Sequence, residues 1–350
     1  MVNSRTRQSG FTLIEFMLAS VITMAMLAAT FTLMNNVFVA NARISQVLIT
    51  QQNVRVALNT ITRDITMAGT GMPDGGTPIP NGGTAVALTR NGAGGTLPTP
   101  DDVINLLIPG DGSGPVVAKL SSTAVAVGTT STTDVLTITM IDQTSPTWVT
   151  TSITSTGTVI DFSPEVRSGA GQLYVNDLLL FNNANGSAFG CVTKVSTSAS
   201  QAEFMDGDVL NINQPAAAVN GTIKASLMNP GSSPATFPQA TAVRATIITY
   251  YINNSNSSHP KLMRAVNGGT PQVMVEDIEN LQFSYDLYNF ENSTETSNQA
   301  TTANPNQIRS VRVAISARSS ERLQRTNDYY HFGLVSKVNV RNATFRNRYS

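Results

Sequence analysis

FTLIEFMLASVITMAMLAATFTLM, residues 11–34, decides the architecture of this 350-residue chain. Glu15 is the only ionisable side chain in it, and the rest is Leu, Ile, Val, Met, Phe and Ala with scattered Thr and Ser. About 20 apolar residues in helical form cross a bilayer, so the stretch predicts one transmembrane helix. Arg5 and Arg7 precede it, and no acid lies between Met1 and Gly10. That asymmetry keeps the N-terminus cytoplasmic and sends the remainder of the chain across. A cleaved secretory signal is the competing reading, but it carries a shorter apolar core followed by a small-x-small site. Ala40-Asn41-Ala42 offers such a site only well beyond the core.

Working outward from the apolar run, no proline or glycine occurs between Phe11 and Ala68, so nothing local breaks the helix. Ile44, Val47, Leu48, Val54, Leu58, Ile61, Ile65 and Ala68 recur at steps of mostly three or four, with Arg43, Gln46, Gln52, Asn59, Arg63 and Thr66 between them. That pattern predicts one apolar stripe on a soluble helix. Gly69, Gly71 and Pro73 then end it, giving a rod of roughly 85 Å. Half of the rod is apolar all round, and half has one face to pack on a head. A carboxylate inside an apolar span costs on the order of 2.5 to 3.5 kcal/mol on insertion scales, so Glu15 calls for a partner. The plainer alternative is a capping box, Thr12-x-x-Glu15, closing the glutamate onto the helix N-terminus.

Gln8-Ser9-Gly10-Phe11-Thr12-Leu13-Ile14-Glu15 resembles the processing and assembly signature of type IV prepilins and type II secretion pseudopilins. It has the short basic leader, the glycine, the phenylalanine and the single glutamate four residues after it. The resemblance implies that a membrane prepilin peptidase cuts after Gly10 and methylates the new N-terminal amine of Phe11. It also gives Glu15 a partner, the N-terminal ammonium of a neighbouring subunit. A carboxylate meeting an ammonium in a dry helix bundle acts as a register device, as a buried polar residue does in a coiled coil. Many major pilins carry a helix-breaking proline in the membrane helix, which this sequence lacks.

Beyond the helix, residues 73–100 read as a linker dominated by Gly, Pro, Thr and Asn. Four aspartates then each lead an apolar run, at Asp102–Leu106, Asp134–Ile138, Asp177–Phe181 and Asp208–Ile212, predicting strands entered from turns. Asn182–Gly186 reads as a hairpin turn. Pro230, Pro234 and Pro238 mark a seam before a second β group beginning at Ala242–Tyr251. Ile278–Leu287 and Ile308–Arg318 both alternate, the second placing Val311, Val313, Ile315 and Ala317 on one face and Arg312 and Arg318 on the other. Asn289–Asn306, between them, reads as polar and mobile. The pairing of an acid-flanked strand with an Arg-rich one resembles the PilW-like group of large minor pilins, and also type II minor pseudopilins.

The expected fold is α+β and pilin-like: a leader at 1–10, a helix over 11–72 with its transmembrane part at about 11–34, the linker, a β-rich region at 101–240 and a C-terminal β-rich region at 241–350. Basic and acidic residues balance at 22 each, which argues against a dedicated nucleic-acid protein. A lone Cys191 forms no intramolecular disulfide, and two histidines are too few for a Cys/His zinc site.

The segment Thr301–Ser350 holds nine basic and two acidic residues, while Tyr251–Ala300 holds two basic and six acidic. Arg341, Arg346 and Arg348 are therefore a candidate surface for DNA or an acidic partner. The alternative is salt bridging of Glu276, Asp277 and Glu279 to the Arg309–Arg318 strand. Asp206-Gly207-Asp208 and Asp111-Gly112-Ser113-Gly114 offer turn carboxylates, but neither supplies a calcium-loop ligand series, so no metal and no cofactor is expected. No G-x-S-x-G, Walker loop or H-E-x-x-H occurs; His259, His331 and Cys191 read as structural, and no enzyme is expected.

The reading is thus a minor pilin that enters the type IV pilus at low copy, in its tip or initiation complex, from a single-pass position in the inner membrane. The partners that the resemblance implies are the prepilin peptidase, other minor pilins, the major pilin and a pilus tip adhesin. A type II secretion minor pseudopilin, or a membrane-anchored module binding DNA or a surface, is the alternative.

Overall fold

The computed structural model describes residues 11–73, 76–78, 88–90, 95–97, 103–110, 112, 132–154, 156–167, 169–197, 200–210, 212–213, 223–229, 231, 236–302, 304–323 and 326–346. Helix α1 runs unbroken over Leu13–Met67, about 80 Å at 1.5 Å per residue. It stops where Gly69 and Gly71 take positive φ of 70° and 71°. An alanine at Gly69 would also set its Cβ 2.9 Å from that of Leu106, so chain direction and close packing both call for glycine there.

Short strands β1 (Thr77–Pro78), β2 (Leu88–Arg90), β3 (Gly95–Leu97), β4 (Val103–Ile104) and β5 (Leu107–Gly110) follow the helix. Next come β6 (Val135–Ile141), β7 (Trp148–Ile153), β8 (Val159–Ser163), β9 (Leu178–Asn182), β10 (Ser187–Cys191), β11 (Lys194–Val195) and β12 (Gln201–Glu203), then a short helix α2 (Ile223–Leu227). The chain continues through β13 (Thr241–Asn253), β14 (Lys261–Val266), β15 (Gln272–Glu276), β16 (Ile278–Asn289), β17 (Thr294–Gln299), β18 (Ile308–Arg318) and β19 (His331–Asn339) to helix α3 (Arg341–Arg346).

Strand β13 organises the larger, eleven-stranded sheet. Its first residues pair with β9 and β7, and the rest with β6 and β14, all antiparallel. The smaller sheet is antiparallel in the order β17-β16-β18-β19, with β18 crossing from β17 to the far side of β16. Along β9 the pleat sends Leu178 and Leu180 to one apolar cluster, with Phe189, Cys191 and Ile247. It sends Leu179 and Phe181 to another, with Trp148, Phe162 and Phe204, so this part of the sheet is covered on both faces.

The third and largest cluster joins the rod to both sheets. Val54, Ala57, Leu58, Ile61 and Ile65 of α1 pack with Phe283 and Tyr285 of β16, Val311, Val313 and Ile315 of β18, and Ile248 and Ile252 of β13. Asp64 is buried within this seam. Tyr250 Oη donates to Asp64 Oδ2 at 2.6 Å, and Arg264 reaches the same oxygen at 3.3 Å and Tyr250 Oη at 3.1 Å. Burial and the adjacent Asp64 carboxylate push the Tyr250 phenol well above its usual range, which keeps it a donor.

Backbone bonds continue the attachment. Gly69 N–H donates to Thr139 O and Ile141 N–H to Thr70 O, so the end of α1 is stitched to β6. Asn342 of α3 donates to Ala68 O at 2.7 Å, satisfying a carbonyl at the end of α1. Asp134 ties the sheets together: its N–H donates to Leu281 O, and its carboxylate accepts from Phe283 N at 2.7 Å and Gly112 N at 2.9 Å.

The α+β architecture is the expected one, and four local readings are corrected. Asp208–Leu210 and Ile212 form no strand, because the Asp208 carboxylate accepts from the N–H groups of Leu210, Ile212 and Asn213. Asn289–Asn306 is not a loose segment throughout: Thr294–Gln299 forms the edge strand β17 on β16. The strand after the proline seam starts no separate sheet, since it pairs with β6, β7 and β9 of the preceding region. Ile44 and Leu48 are exposed, because the head covers α1 continuously only from about Thr50 onward. Within 73–100 the described residues include β1, which pairs with β4, and the β2–β3 ribbon.

Replacing Asp64 by alanine strands a partly buried guanidinium and a buried hydroxyl, and is expected to cost about 2–4 kcal/mol. Tyr250→Phe, which leaves the ion pair, is expected to cost about 1–2 kcal/mol. Urea unfolding of the detergent-solubilised chain, followed through its single tryptophan, Trp148, measures both.

Asp286 gives a pH prediction. Burial opposes its ionisation, but the Lys337 ammonium at 2.5 Å, the Asn298 N–H and the Ser310 hydroxyl outweigh burial and hold the carboxyl at about 2. A carboxyl depressed in the folded state adds stability above its ordinary value near 3.9, and that stability is lost as pH falls toward 2. Asp286→Asn is therefore expected to melt below wild type at pH 6, with the gap closing between pH 4 and pH 2 in circular-dichroism melts.

Candidate functional site

The N-terminal half of α1 is the part of the molecule that the head leaves uncovered. Phe11, Leu13, Ile14, Phe16, Met17 and Leu18 are all exposed, and none of the most apolar 18-residue window is buried against the rest of the chain. Such a surface needs lipid or other apolar helices around it. Its few polar groups are satisfied within the helix. The hydroxyls of Ser20, Thr23, Thr30 and Thr32 donate to carbonyls four residues back, at 2.7 to 2.9 Å. A span in hydrocarbon requires that internal satisfaction.

Glu15 stands in the first turn, and its carboxylate accepts from Thr12 N–H at 2.9 Å and from the Thr12 hydroxyl at 2.8 Å. Glu15 N–H in turn donates to Thr12 Oγ1 at 3.3 Å, which completes a capping box. In the single chain the capping alternative is therefore formed. It does not exhaust the carboxylate, which has about four acceptor positions. Phe11 lies at the start of the described chain and is 91% exposed, while Gly10, Arg5 and Arg7 lie outside the described residues.

The other candidates stand on the head. Arg341 is exposed at the first position of α3, Arg346 is its last residue, and Arg348 lies outside the described residues. The bridging expected between the acidic cluster and the Arg-rich strand forms at one point: Arg318 reaches Glu279 at 3.7 Å. Glu276 pairs instead with Lys261, and Asp277 with His259. Arg312 donates to Asn298, and Arg309 stacks 4.8 Å from the Phe290 ring centre. His331 sits on Glu279 at 2.9 Å, so each histidine of the chain is held by a carboxylate. Cys191 is fully buried, and burial pushes its thiol up, away from the nucleophilic thiolate. Asp208 is held by its own turn, and among the described residues no three His, Cys, Asp or Glu side chains gather around one point. Asp111 lies outside the described residues.

Sequence reading missed Asp64, the residue that fastens rod to head. The signal was present: Asp64 interrupts the buried stripe between Ile61 and Ile65, where a charge has no place without a partner.

Comparison with known proteins bears on both ends of the chain. Residues 249–350 match the family model of the type IV pilus-assembly protein W, and residues 5–31 match the prokaryotic N-terminal methylation motif. No curated protein and no solved structure matches. The families matched are structural, pilins and pilus-assembly proteins, and they imply interaction with other pilins and the pilus machinery. The two matches support a PilW-like type IV minor pilin. The methylation motif and the single N-terminal apolar helix support anchoring in the inner membrane with a C-terminal globular region, and then the pilus.

Proposed function

We propose that this PilW-like chain is a minor pilin subunit that prepilin peptidase cleaves after Gly10 and methylates on Phe11, and that enters the pilus at low copy in a tip or initiation complex. The observation that carries the reading is the bare apolar half of α1, which bears one carboxylate four residues after the matched motif's phenylalanine. Once the leader is removed, the amine of Phe11 becomes a cation. The Glu15 carboxylate of one subunit then meets the amine of the next, and only one axial stagger of the two helices brings them together.

The head fits a tip position. An eleven-stranded and a four-stranded sheet make a bulky cap, which is hard to repeat throughout a thin helical array. Its direct partners in this reading are other minor pilins, the major pilin and a tip adhesin. The chain is a substrate of the peptidase and has no catalytic role of its own. The match to the pilus-assembly family at the C-terminus favours the pilus over a type II secretion pseudopilus.

Intact-mass and N-terminal peptide analysis from hosts with and without the peptidase tests the processing step. A chain beginning at methylated Phe11 only when the peptidase is present is expected. An uncut chain, or a cut beyond Met34, would remove the filament reading. Gly10→Val is expected to block cleavage. Glu15→Ala is expected to leave cleavage and membrane insertion intact while cutting surface pilus counts roughly tenfold, the scale of one lost register interaction; normal piliation would refute the registry role.

A further inference from the structure

The second half of α1 keeps an outer face that the head leaves bare. Ile44, Leu48, Ile49 and Val56 are all exposed there. Steps of four and seven put Ile44, Leu48 and Arg55 on one line along the helix. Ile44 stands about 15 Å along the axis beyond Met34, past a bilayer that the apolar run before it already spans. The cover for this stretch is therefore protein.

The charge of the helix is one-sided. Between Phe16 and Met67 the sequence holds Arg43, Arg55 and Arg63 against a single carboxylate, Asp64. Asp64 is buried, bonded to Tyr250 and Arg264, and bridged by Arg63 at 3.6 Å. That leaves Arg43 and Arg55. Both are exposed, and neither forms an ion pair with a carboxylate of the described residues.

The register set by Glu15 turns this excess into a choice of neighbour. With Glu15 of one helix at the Phe11 amine of the next, residue 15 stands level with residue 11, a stagger of about 6 Å. Were the next helix a copy of this one, Arg43 would stand level with Val39 or Val47, and Arg55 with Gln51 or Asn59. None of these is an acid. The like guanidinium groups of the two copies would lie one stagger apart in a seam that excludes water, with no counter-ion on either helix.

We infer that the outer face of α1 takes the helix of a different subunit, one that carries carboxylates level with Arg55 and Arg43, and that the chain is thereby barred from following itself in the filament. The inference rests on the filament reading and adds to it a physical reason for low copy number.

Förster transfer between two differently labelled batches of the full chain tests it, each purified from a host expressing the peptidase and reconstituted together in phosphatidylcholine vesicles. The pairs are wild type with itself, wild type with Arg43→Glu/Arg55→Glu, and that variant with itself. The unlike pair is expected to associate roughly tenfold or more tightly than either like pair. A neutral Arg43→Gln/Arg55→Gln copy is expected to associate with itself more tightly than wild type does. Equal association of the three pairs, tighter association of wild type with itself than with the reversed copy, or no association in any pair would each overturn the inference. Should the reversed variant lose the native Trp148 emission, the comparison of the glutamine copy with wild type decides. Any overturning result from a chain that is cut to methylated Phe11 and supports piliation refutes this inference alone, whereas an uncut chain refutes the filament reading beneath it.

Discussion

The attachment of the helix to the head rests on the buried face of α1 between Thr50 and Ile65. Within that seam the apolar contacts are non-directional and would tolerate sliding or rotation of the helix. Asp64 removes that freedom. Its carboxylate is buried, so leaving it without Tyr250 and Arg264 costs far more than any gain from shifting a leucine into a neighbouring gap. The apolar stripe gives the affinity of the helix for the sheets, and one buried hydrogen-bonded ion pair gives the position.

The same helix carries two opposite solutions to burying apolar surface. Beyond Thr50 the head supplies the cover, through β13, β16 and β18. Over residues 11–38 no other described residue does, and hydroxyls that bond to their own helix satisfy the polar groups of the span. An anchored chain that leaves its membrane must replace lipid with something equally apolar, and neighbouring copies of the same kind of helix meet that need.

Much of this was legible in the sequence because it depends on local rules. The rod follows from the lack of Pro and Gly up to Ala68, and the glycines at 69 and 71 mark its end. Strands β16 and β18 follow from alternation over ten or more residues, where the period is unmistakable. The failures have a common cause. Asp208–Ile212 has the composition of a strand, yet a side chain captures three backbone N–H groups and outcompetes pairing. Strand β17 has no apolar residue to betray it and exists because β16 offers an edge. The role of β13 as a hub is set by partners far apart in sequence, which no local window can read. At the N-terminus the motif was plain, whereas the Asp64 latch needed the third dimension to bring helix residue 64 to Tyr250 and Arg264.

The stitching of α1 to β6 also sets how the molecule carries load. A pull on the rod passes through the bonds from Gly69 to Thr139 and from Ile141 to Thr70 into β6. Strand β6 is paired along six residues with β13, and the hydrogen bonds of an antiparallel pair lie across the strands. Tension directed along β6 therefore strains those bonds together, in shear, instead of peeling them one after another. Strand β13 spreads the force further into β9 and β14. A subunit built this way resists extraction through its fold as well as through its anchor.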